Sequence, residues 1–246
     1  EIWQVSPNGD YTVYEGIPSP SDARRDAEGR IWFTDYALTF GYVDRDALRR
    51  TTWTLEGADN LGGLAFDEGG DVWLTQAFGS RLYRFDPVAT EVCTYTVAAP
   101  SDYIVYDSGK LWLGNWGNDR IYRLDPVAEE VTWWQAAGVN IRPLGLTVGE
   151  QGDLWWADTA LDMLVRLEPD LNLMTTYALP VGTEPQMIQF REDRLWYTEN
   201  GLGTIGNLDP AVAEGESTTV TSSTASLTPD CHELSPTEVD ISARTG

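Results

Sequence analysis

Five oxygen-bearing side chains recur about every forty residues along this chain, each directly after a short apolar run. Carboxylate and amide oxygens are the ligands that Ca²⁺ and Mg²⁺ prefer in proteins. The sequence therefore predicts a metal site formed by Asp35, Asn115, Asp158 and Glu199, with the fifth residue, Gln76, binding a ligand beside it. Asp and Asn also end strands because their side chains bond to the backbone that follows. That alternative stays open.

A tryptophan in each apolar run indicates which elements position these side chains. The five tryptophans are Trp32, Trp73, Trp112, Trp155 and Trp196. A fixed period of about forty residues is typical of stacked or circular repeat proteins. Within residues 100–138, four short segments rich in aromatic and β-branched residues alternate with turn residues, as in one propeller blade. We expect an all-β propeller of four-stranded antiparallel blades, with the tryptophans packed between blades.

The repeats organise residues 1–246 as one predicted β-propeller domain. Complete repeats are expected at 18–57, 58–98, 99–139, 140–180 and 181–221. The chain opens with a third-strand phrase, so residues 1–17 and 222–246 are expected to form a composite closing blade. In that blade the tail supplies the missing inner strands, because an unclosed propeller leaves strand edges unpaired. Six blades is the main prediction, and seven blades with missing sequence is the alternative.

Charge excludes some partners. The 246 residues include 39 acidic and 16 basic side chains, for a net charge of −23. This charge disfavours nucleic acid and anionic lipid and favours solubility and cation binding. No apolar run approaches the ~20 residues that span a bilayer. Glu1 opens the chain in mid-repeat without an initiator Met, as expected of a processed secreted protein or an excised piece. We expect an extracellular or periplasmic protein.

Two cysteines occur, and the sequence leaves their state open. Cys93 falls in a predicted strand and Cys231 in the polar tail. They are expected either to form one disulfide that pins the tail to the body or to remain free thiols.

Further candidates for ligand binding fall near the predicted channel mouth. Asp102 and Gln186 are at the starts of first strands, and Phe78 and Trp116 are in the loops after second strands. The same two positions in other repeats hold Asp22, Gly62, Leu144, Tyr36, Phe40 and Leu161. Aromatic and polar groups together recognise sugars, peptides and flat amphipathic compounds. Packing between blades is the alternative for the aromatic residues.

A second set of aromatic residues is predicted on outermost strands, where exposure would allow self-association or partner binding. Each follows a threonine; the set is Trp53, Tyr95, Trp133 and Tyr177.

The repeat at 181–221 carries a family resemblance. The run Trp196-Tyr197-Thr198-Glu199, followed by Ile205-Gly206, resembles a repeat of the virginiamycin B lyase (streptogramin lyase) family, which is related to the NHL and gluconolactonase-type propellers. The resemblance implies a lyase that opens a cyclic ester-linked peptide by β-elimination, with a histidine base and a bound magnesium ion. Glu199, in the matching box, is the candidate metal-associated residue.

The histidine that the resemblance implies is not found at the matching positions. These positions hold Ser101, Leu144 and Gln186, and the one histidine of the chain, His232, is in the tail. No catalytic residue is therefore assigned. Two hypotheses follow: a secreted module that binds a small molecule or a protein at the channel mouth, or a lyase or lactone hydrolase dependent on Mg²⁺ or Ca²⁺.

Overall fold

The chain is a six-bladed β-propeller. The computed structural model describes residues 1–17, 19–97, 101, 103–115, 117–135 and 141–245, and these residues contain 26 strands and no helix. The strands form six antiparallel sheets, which we number as blades 1–6 in chain order. The prediction of an all-β propeller with six blades is confirmed. No helix able to cross a membrane occurs among the described residues.

The strand bounds follow the repeats closely. Blade 1 contains β1 (Ile2–Val5) and β2 (Tyr11–Tyr14). Blades 2–5 each contain four consecutive strands. Blade 2 contains β3 (Pro20–Arg25), β4 (Ile31–Asp35), β5 (Thr39–Asp44) and β6 (Arg49–Thr54), and blade 3 contains β7 (Leu61–Phe66), β8 (Val72–Gln76), β9 (Arg81–Asp86) and β10 (Glu91–Thr96). Blade 4 contains β11 (Ile104–Asp107), β12 (Lys110–Asn115), β13 (Arg120–Asp125) and β14 (Glu130–Gln135), and blade 5 contains β15 (Pro143–Val148), β16 (Leu154–Asp158), β17 (Met163–Glu168) and β18 (Leu173–Ala178). Blade 6 contains β19 (Pro185–Arg191), β20 (Arg194–Glu199) and β21 (Thr204–Leu208). Five tail strands follow: β22 (Glu216–Thr219), β23 (Thr221–Ser226), β24 (Asp230–Glu233), β25 (Thr237–Asp240) and β26 (Ala243–Thr245).

The chain divides into two compact units. The first is Glu1–Thr96 with Pro229–Gly246, which holds blades 1–3 and tail strands β24–β26. The second is Val97–Thr228, which holds blades 4–6 and tail strands β22 and β23. Each unit thus has three blades and part of the tail.

The tail strands lie on the outer edges of blades and not on the inner side. β22 pairs with β18, β23 with β14, β24 with β10, β25 with β6 and β26 with β2, so the tail adds an outermost strand to blades 5, 4, 3, 2 and 1 in turn. Blade 1 is therefore a composite of both termini, as expected. The prediction that residues 222–246 supply its inner strands is wrong, because β26 pairs on the outer side of β2.

A seven-residue period in the tail sets this arrangement. Val220, Leu227, Leu234 and Ile241 each donate their backbone N–H to the carbonyl of a left-handed turn residue between the third and fourth strands of one blade. The acceptors, in the same order, are Asn172, Glu129, Thr90 and Leu48, at 2.9, 2.7, 2.7 and 2.9 Å. The intervening residues are almost all exposed, so these four aliphatic residues fix the register.

A disulfide fixes the tail to blade 3. Cys93 of β10 and Cys231 of β24 are directly opposite each other in the ladder and are bonded. Of the two states that the sequence left open, the structure has the disulfide. It closes a loop of 138 residues and therefore restricts the unfolded chain strongly.

The repeated tryptophans form the core between blades, with one exception. Trp32 packs against Leu61 and Leu64 of the next blade, and Trp112 and Trp155 make the same kind of contact in the second unit. Trp196 of blade 6 is 43% exposed, against 1% for Trp155. The prediction that all five tryptophans are buried is wrong for Trp196.

The fourth-strand aromatic residues are not an exposed rim. Trp53, Tyr95 and Tyr177 are buried, and Trp133 is half-buried. Their strands are not sheet edges, because the tail strands cover them. The prediction of exposed outer aromatic residues is therefore wrong, and with it the basis for self-association through them.

Candidate functional site

In four blades, the end of the second strand is opposite the start of the first. The paired residues are Pro20 and Asp35, Leu61 and Gln76, Pro143 and Asp158, and Pro185 and Glu199. We call these strand ends, with the loops that follow the second strands, the rim. All five predicted oxygen-bearing residues belong to it, with Asp35 and Gln76 in the first unit and Asn115, Asp158 and Glu199 in the second.

A β-bulge follows each of these first-strand starts. The register shifts between Pro20 and Ala23, between Leu61 and Leu64, between Leu144 and Leu146, and between Pro185 and Ile188. The bulges contain or adjoin the predicted entry positions Asp22, Gly62, Leu144 and Gln186. Bulges re-aim side chains and are frequent beside functional sites.

A threonine hydroxyl supports three of the bulges. Thr34, Thr75 and Thr198 each precede the last residue of a second strand and accept an N–H from the bulge, at 3.2, 2.9 and 3.0 Å from Asp22, Gly63 and Met187. The threonine that recurs in the Trp-containing box is the sequence signal for this role. The prediction from the sequence singled out only the residue after it.

Two predicted metal ligands cap their own strands. Asp35 Oδ1 accepts the backbone N–H groups of Ala37 and Thr39 at 3.0 and 2.9 Å. Asn115 Oδ1 accepts those of Gly117 and Asn118 at 2.7 and 3.1 Å. Both side chains are buried. The capping role that the sequence left open is therefore present at both positions.

Asp158 is a buried carboxyl group of the rim with a shifted pKa. Its Oδ2 accepts the N–H of Arg142 at 2.7 Å and its Oδ1 accepts that of Leu161 at 3.2 Å, and the side chain is fully buried. Burial raises its pKa, and the backbone hydrogen bonds oppose this shift only in part. A carboxyl group with a raised pKa in a strand-end cluster is a candidate proton acceptor.

Gln76 and Glu199 have side-chain partners. Gln76 donates from Nε2 to Asp59 Oδ1, and a Cβ on Gly79 would overlap the Gln76 side chain, so the loop closes tightly over it. Glu199 accepts from the Thr204 hydroxyl and is only partly buried. Burial raises the pKa of Tyr197, and the nearby Glu199 carboxylate raises it further. Asp59 was missed by sequence reasoning, because nothing in its local pattern marks it.

Asp158 and Glu199 belong to no group of three His, Cys, Asp or Glu side chains within coordinating distance among the described residues. One such group is found in the part of the chain that the structure describes, and it consists of Glu91, Cys93 and Cys231. The two cysteines of this group form the disulfide. Asp35 and Asp158 accept hydrogen bonds from backbone amides instead, and Glu199 accepts one from the Thr204 hydroxyl. Their donor set of oxygens still has the chemistry that Mg²⁺ and Ca²⁺ require.

Two aromatic side chains are exposed among the described residues of the rim. Phe78 is 60% exposed and Tyr36 is 52% exposed, in the loops after β8 and β4. Leu161 is also exposed, whereas Phe40 is buried on β5 between Thr34 and Trp53. The prediction of Phe40 at the mouth is wrong. Asp102 and Trp116 lie outside the described residues, and Gln186 lies half-buried in the blade 6 bulge.

The sequence model of the virginiamycin B lyase family matches residues 48–229. The chain belongs to the virginiamycin B lyase family. Comparison with curated protein sequences gives no significant match. The family match covers blades 3–6 completely, together with the tail strands on blades 4 and 5.

Solved structures show the same fold as this family member. A catalytically inactive histidine-to-alanine variant of virginiamycin B lyase from Staphylococcus aureus, solved with quinupristin, is 21% identical with a TM-score of 0.74, over 88% of this chain and 83% of that chain. A streptogramin B lyase is 18% identical with a TM-score of 0.60, over 86% and 88%. The nidogen/laminin complex matches at 17% identity with a TM-score of 0.67, over 84% of both chains.

The histidine of this family member is far from its rim within blade 3. His232 is exposed on β24, opposite Val92 of β10. β10 and β9 separate β24 from β8, whose end carries Gln76. At about 4.8 Å per strand, three strand spacings place the His232 backbone roughly 14 Å from β8.

Proposed function

We propose that this protein is a binding propeller of the virginiamycin B lyase family that recognises a small molecule or a protein at its rim. One observation carries the proposal: the chain has a single histidine, His232, and it is on an outer tail strand. A base must come within hydrogen-bonding reach of the proton that it removes. The repeats therefore offer a rim with no histidine base.

The exposed aromatic residues of blades 2 and 3 support a binding role. Tyr36 and Phe78 stand in rim loops and are more than half exposed, while the other aromatic residues of these blades are largely in the core. Flat apolar surfaces beside polar strand ends suit amphipathic ligands. The match to the nidogen/laminin complex shows that a related propeller fold occurs in a protein–protein assembly.

Assays with quinupristin can test binding and turnover separately, since a catalytically inactive variant of a virginiamycin B lyase was solved with it. We expect this protein to give no ring-opened product in a chromatographic assay, with or without Mg²⁺. Ring-opened quinupristin formed by the purified protein would falsify the binding assignment.

A matched pair of variants locates the binding surface. Phe78 and Val88 are both exposed apolar residues of blade 3, 60% and 94% respectively, but Val88 is in the turn between the third and fourth strands. If quinupristin binds in titration calorimetry, Phe78→Ala is expected to weaken binding at least fivefold, while Val88→Ala leaves it unchanged. Equal affinities for the two variants would place binding away from the rim.

A metal-dependent lyase or lactone hydrolase is the second candidate, and the raised pKa of Asp158 favours it. In this reading the oxygens of Asn115, Asp158 and Glu199 would hold Mg²⁺ or Ca²⁺, which would supply a Lewis acid for a carbonyl group, and a rim carboxylate would accept the proton. Either ion is then expected to raise the melting temperature. Asp158→Asn combined with Glu199→Gln abolishes that rise, and no response to either ion would remove this candidate.

A further inference from the structure

Blade 6 lacks the fourth strand that blades 2–5 have. Its sheet is β19-β20-β21, whereas blades 2–5 add a fourth strand and then a tail strand outside it. The outer side of β21 has no ladder partner among the described residues. An edge of this kind presents a row of unpaired backbone groups and is a template for another strand.

The missing strand leaves one apolar side chain uncovered. Ile205 of β21 is opposite Thr198, as Leu82 is opposite Thr75 in blade 3. Ile205 is 71% exposed. Its counterparts in the other blades are fully or almost fully buried: Phe40 at 0%, Leu82 at 1%, Ile121 at 0% and Leu164 at 0%.

The other blades show what normally covers this position. An aromatic residue of the fourth strand is opposite each counterpart: Trp53 opposite Phe40, Tyr95 opposite Leu82, Trp134 opposite Ile121 and Tyr177 opposite Leu164. In three blades the fourth strand has an aliphatic residue three positions before this aromatic residue, and it is opposite an apolar residue three positions further along the third strand. These aliphatic residues are Val92, Val131 and Met174. Cross-strand aromatic–aliphatic pairs of this kind stabilise a ladder.

The chain's own continuation does not match that pattern. Counted from the Asp-Pro turn, the residues that correspond to Val131 and Trp134 of blade 4 are Gly215 and Thr218. Neither residue supplies the aliphatic or aromatic group that covers the third strand elsewhere. The segment instead crosses to blade 5, where β22 pairs with β18.

Gly215 permits this crossing. A Cβ at this position would be 2.6 Å from Thr175 Cγ2 and 2.9 Å from Tyr177 Cε1, so only glycine lets the chain approach β18 this closely. The segment that follows β21 therefore leaves blade 6 without a fourth strand and supplies an outer strand to blade 5.

We propose that the open edge of β21 binds an extended segment of a partner polypeptide by β-strand addition. The segment runs antiparallel to β21 and carries an aliphatic residue followed, three positions later, by an aromatic residue. The aliphatic side chain packs on Leu208 and the aromatic side chain on Ile205, while main-chain hydrogen bonds supply affinity. This interaction does not use the rim and stands apart from the proposed function.

The probe is a labelled peptide with the sequence of residues 128–135, the fourth strand of blade 4. A control peptide carries Val131→Gly and Trp134→Thr, which copies the unsuited pair Gly215 and Thr218. Fluorescence anisotropy with the intact protein is expected to show saturable binding of the first peptide and at least tenfold weaker binding of the control. Absence of saturable binding, or equal binding of both peptides, overturns the proposal.

Two protein variants then assign the binding to β21. Ile205→Lys places a charge on the open edge and is expected to weaken peptide binding at least tenfold. Val181→Lys makes the same change at a 96% exposed loop residue of the same unit and is expected to leave binding unchanged. Both positions are exposed, so folding is retained and is checked by melting temperature. Equal affinities for the two variants contradict the assignment.

The same variants test whether a second copy of this protein binds at the open edge of β21. Sedimentation of the protein without peptide is expected to show a monomer at all concentrations. A concentration-dependent dimer that Ile205→Lys dissociates and Val181→Lys does not would assign the edge to self-association, against the partner proposal.

Discussion

Blades 5 and 6 are adjacent in the chain and have similar sequences, yet they differ in what their residues contact. Trp155 and Trp196 occupy the same position in the second strand, and one is buried while the other is 43% exposed. Trp155 packs against Ile188, Leu195 and Tyr197 of blade 6. The comparison shows that a repeat motif sets the direction of a side chain, and the next blade decides whether that side chain is core.

The polar contacts of the two blades differ in the same way. In blade 5, Asp153 accepts hydrogen bonds from Trp155 Nε1 and Arg166 Nε, both at 2.6 Å, and the Arg166 guanidinium lies over the Trp155 ring. In blade 6, Arg194 stands at the position of Asp153 and donates to Asn207. Blade 6 therefore has the same order of strands as blade 5, but it has no buried carboxylate at the position where Asp153 holds the tryptophan of blade 5.

The largest expected effect is at the tryptophan pair. Trp155→Ala removes a side chain from a packed cluster and is expected to lower the free energy of unfolding by about 3–5 kcal/mol. Trp196→Ala is expected to lower it by about 1 kcal/mol or less, because the ring is already partly in water. Urea unfolding of both variants measures the difference. Equal losses would mean that Trp196 is packed in solution.

Blade 2 extends the comparison with blade 6, because the stability that its tryptophan anchor contributes is expected to depend on pH. Asp26 anchors Trp32 by accepting from its Nε1 at 2.7 Å and from Arg30 Nε at 2.6 Å. Burial disfavours the charged carboxylate, but these hydrogen bonds outweigh it and lower the pKa of Asp26 below 3.8. In blade 6, Phe190 stands at the corresponding distance before Trp196, so this anchor is absent there.

The sign of the Asp26 effect follows from the lowered pKa. Its contribution is complete above pH 3.8, the ordinary value, and is lost as the pH falls through the lower folded-state pKa. Asp26→Asn is expected to cost about 2 kcal/mol at pH 7, and the gap to the unaltered protein narrows below pH 3.8. Melting temperatures from pH 7 to pH 2.5 measure it, with Asp46→Asn as an exposed control in the same blade. A gap that is constant across this range would contradict the assignment.

The smallest expected effect is the difference between two arginines, Arg166 of blade 5 and Arg194 of blade 6. Arg166 is 22% exposed and bonded to a buried carboxylate, so Arg166→Gln is expected to cost about 1–2 kcal/mol. Arg194 is 48% exposed, and Arg194→Gln is expected to change the free energy of unfolding by no more than about 0.5 kcal/mol. Chemical denaturation resolves the two values. A loss from Arg194→Gln as large as that from Arg166→Gln would show that blade 6 has an anchor of equal strength.

The sequence was sufficient to predict the blades, because Trp spacing and Asp-Pro turns are local signals. In blade 3, Asp86 Oδ1 accepts the N–H groups of Val88 and Ala89, which fixes the turn within a few residues. The path of the tail was not predicted, because its strands are polar and exposed. The period of Val220, Leu227, Leu234 and Ile241 was the available signal, and its partners are distant in the chain.

The candidate site was predictable in position but not in contacts. The rim residues fall at strand ends because a repeat puts matching residues at matching places, as Asp158 and Glu199 show. Whether their oxygens face an ion or a backbone amide depends on how the loop at each strand end folds, as the backbone contacts of Asp158 and the Thr204 contact of Glu199 show. Burial of Asp158, and hence its raised pKa, is likewise a property of the folded surroundings.

The pairing of Thr12 with Thr245 has a consequence for synthesis. The ribosome must add every residue from Thr12 to Thr245 before blade 1 can gain its outer strand. Contacts so distant along the chain form slowly. The nascent blades emerge with their outer edges open, and each is covered later, in the reverse of the order in which the blades were made. Proteolysis that removes the tail strands in order from β26 to β22 would reopen those edges one after another, beginning with blade 1.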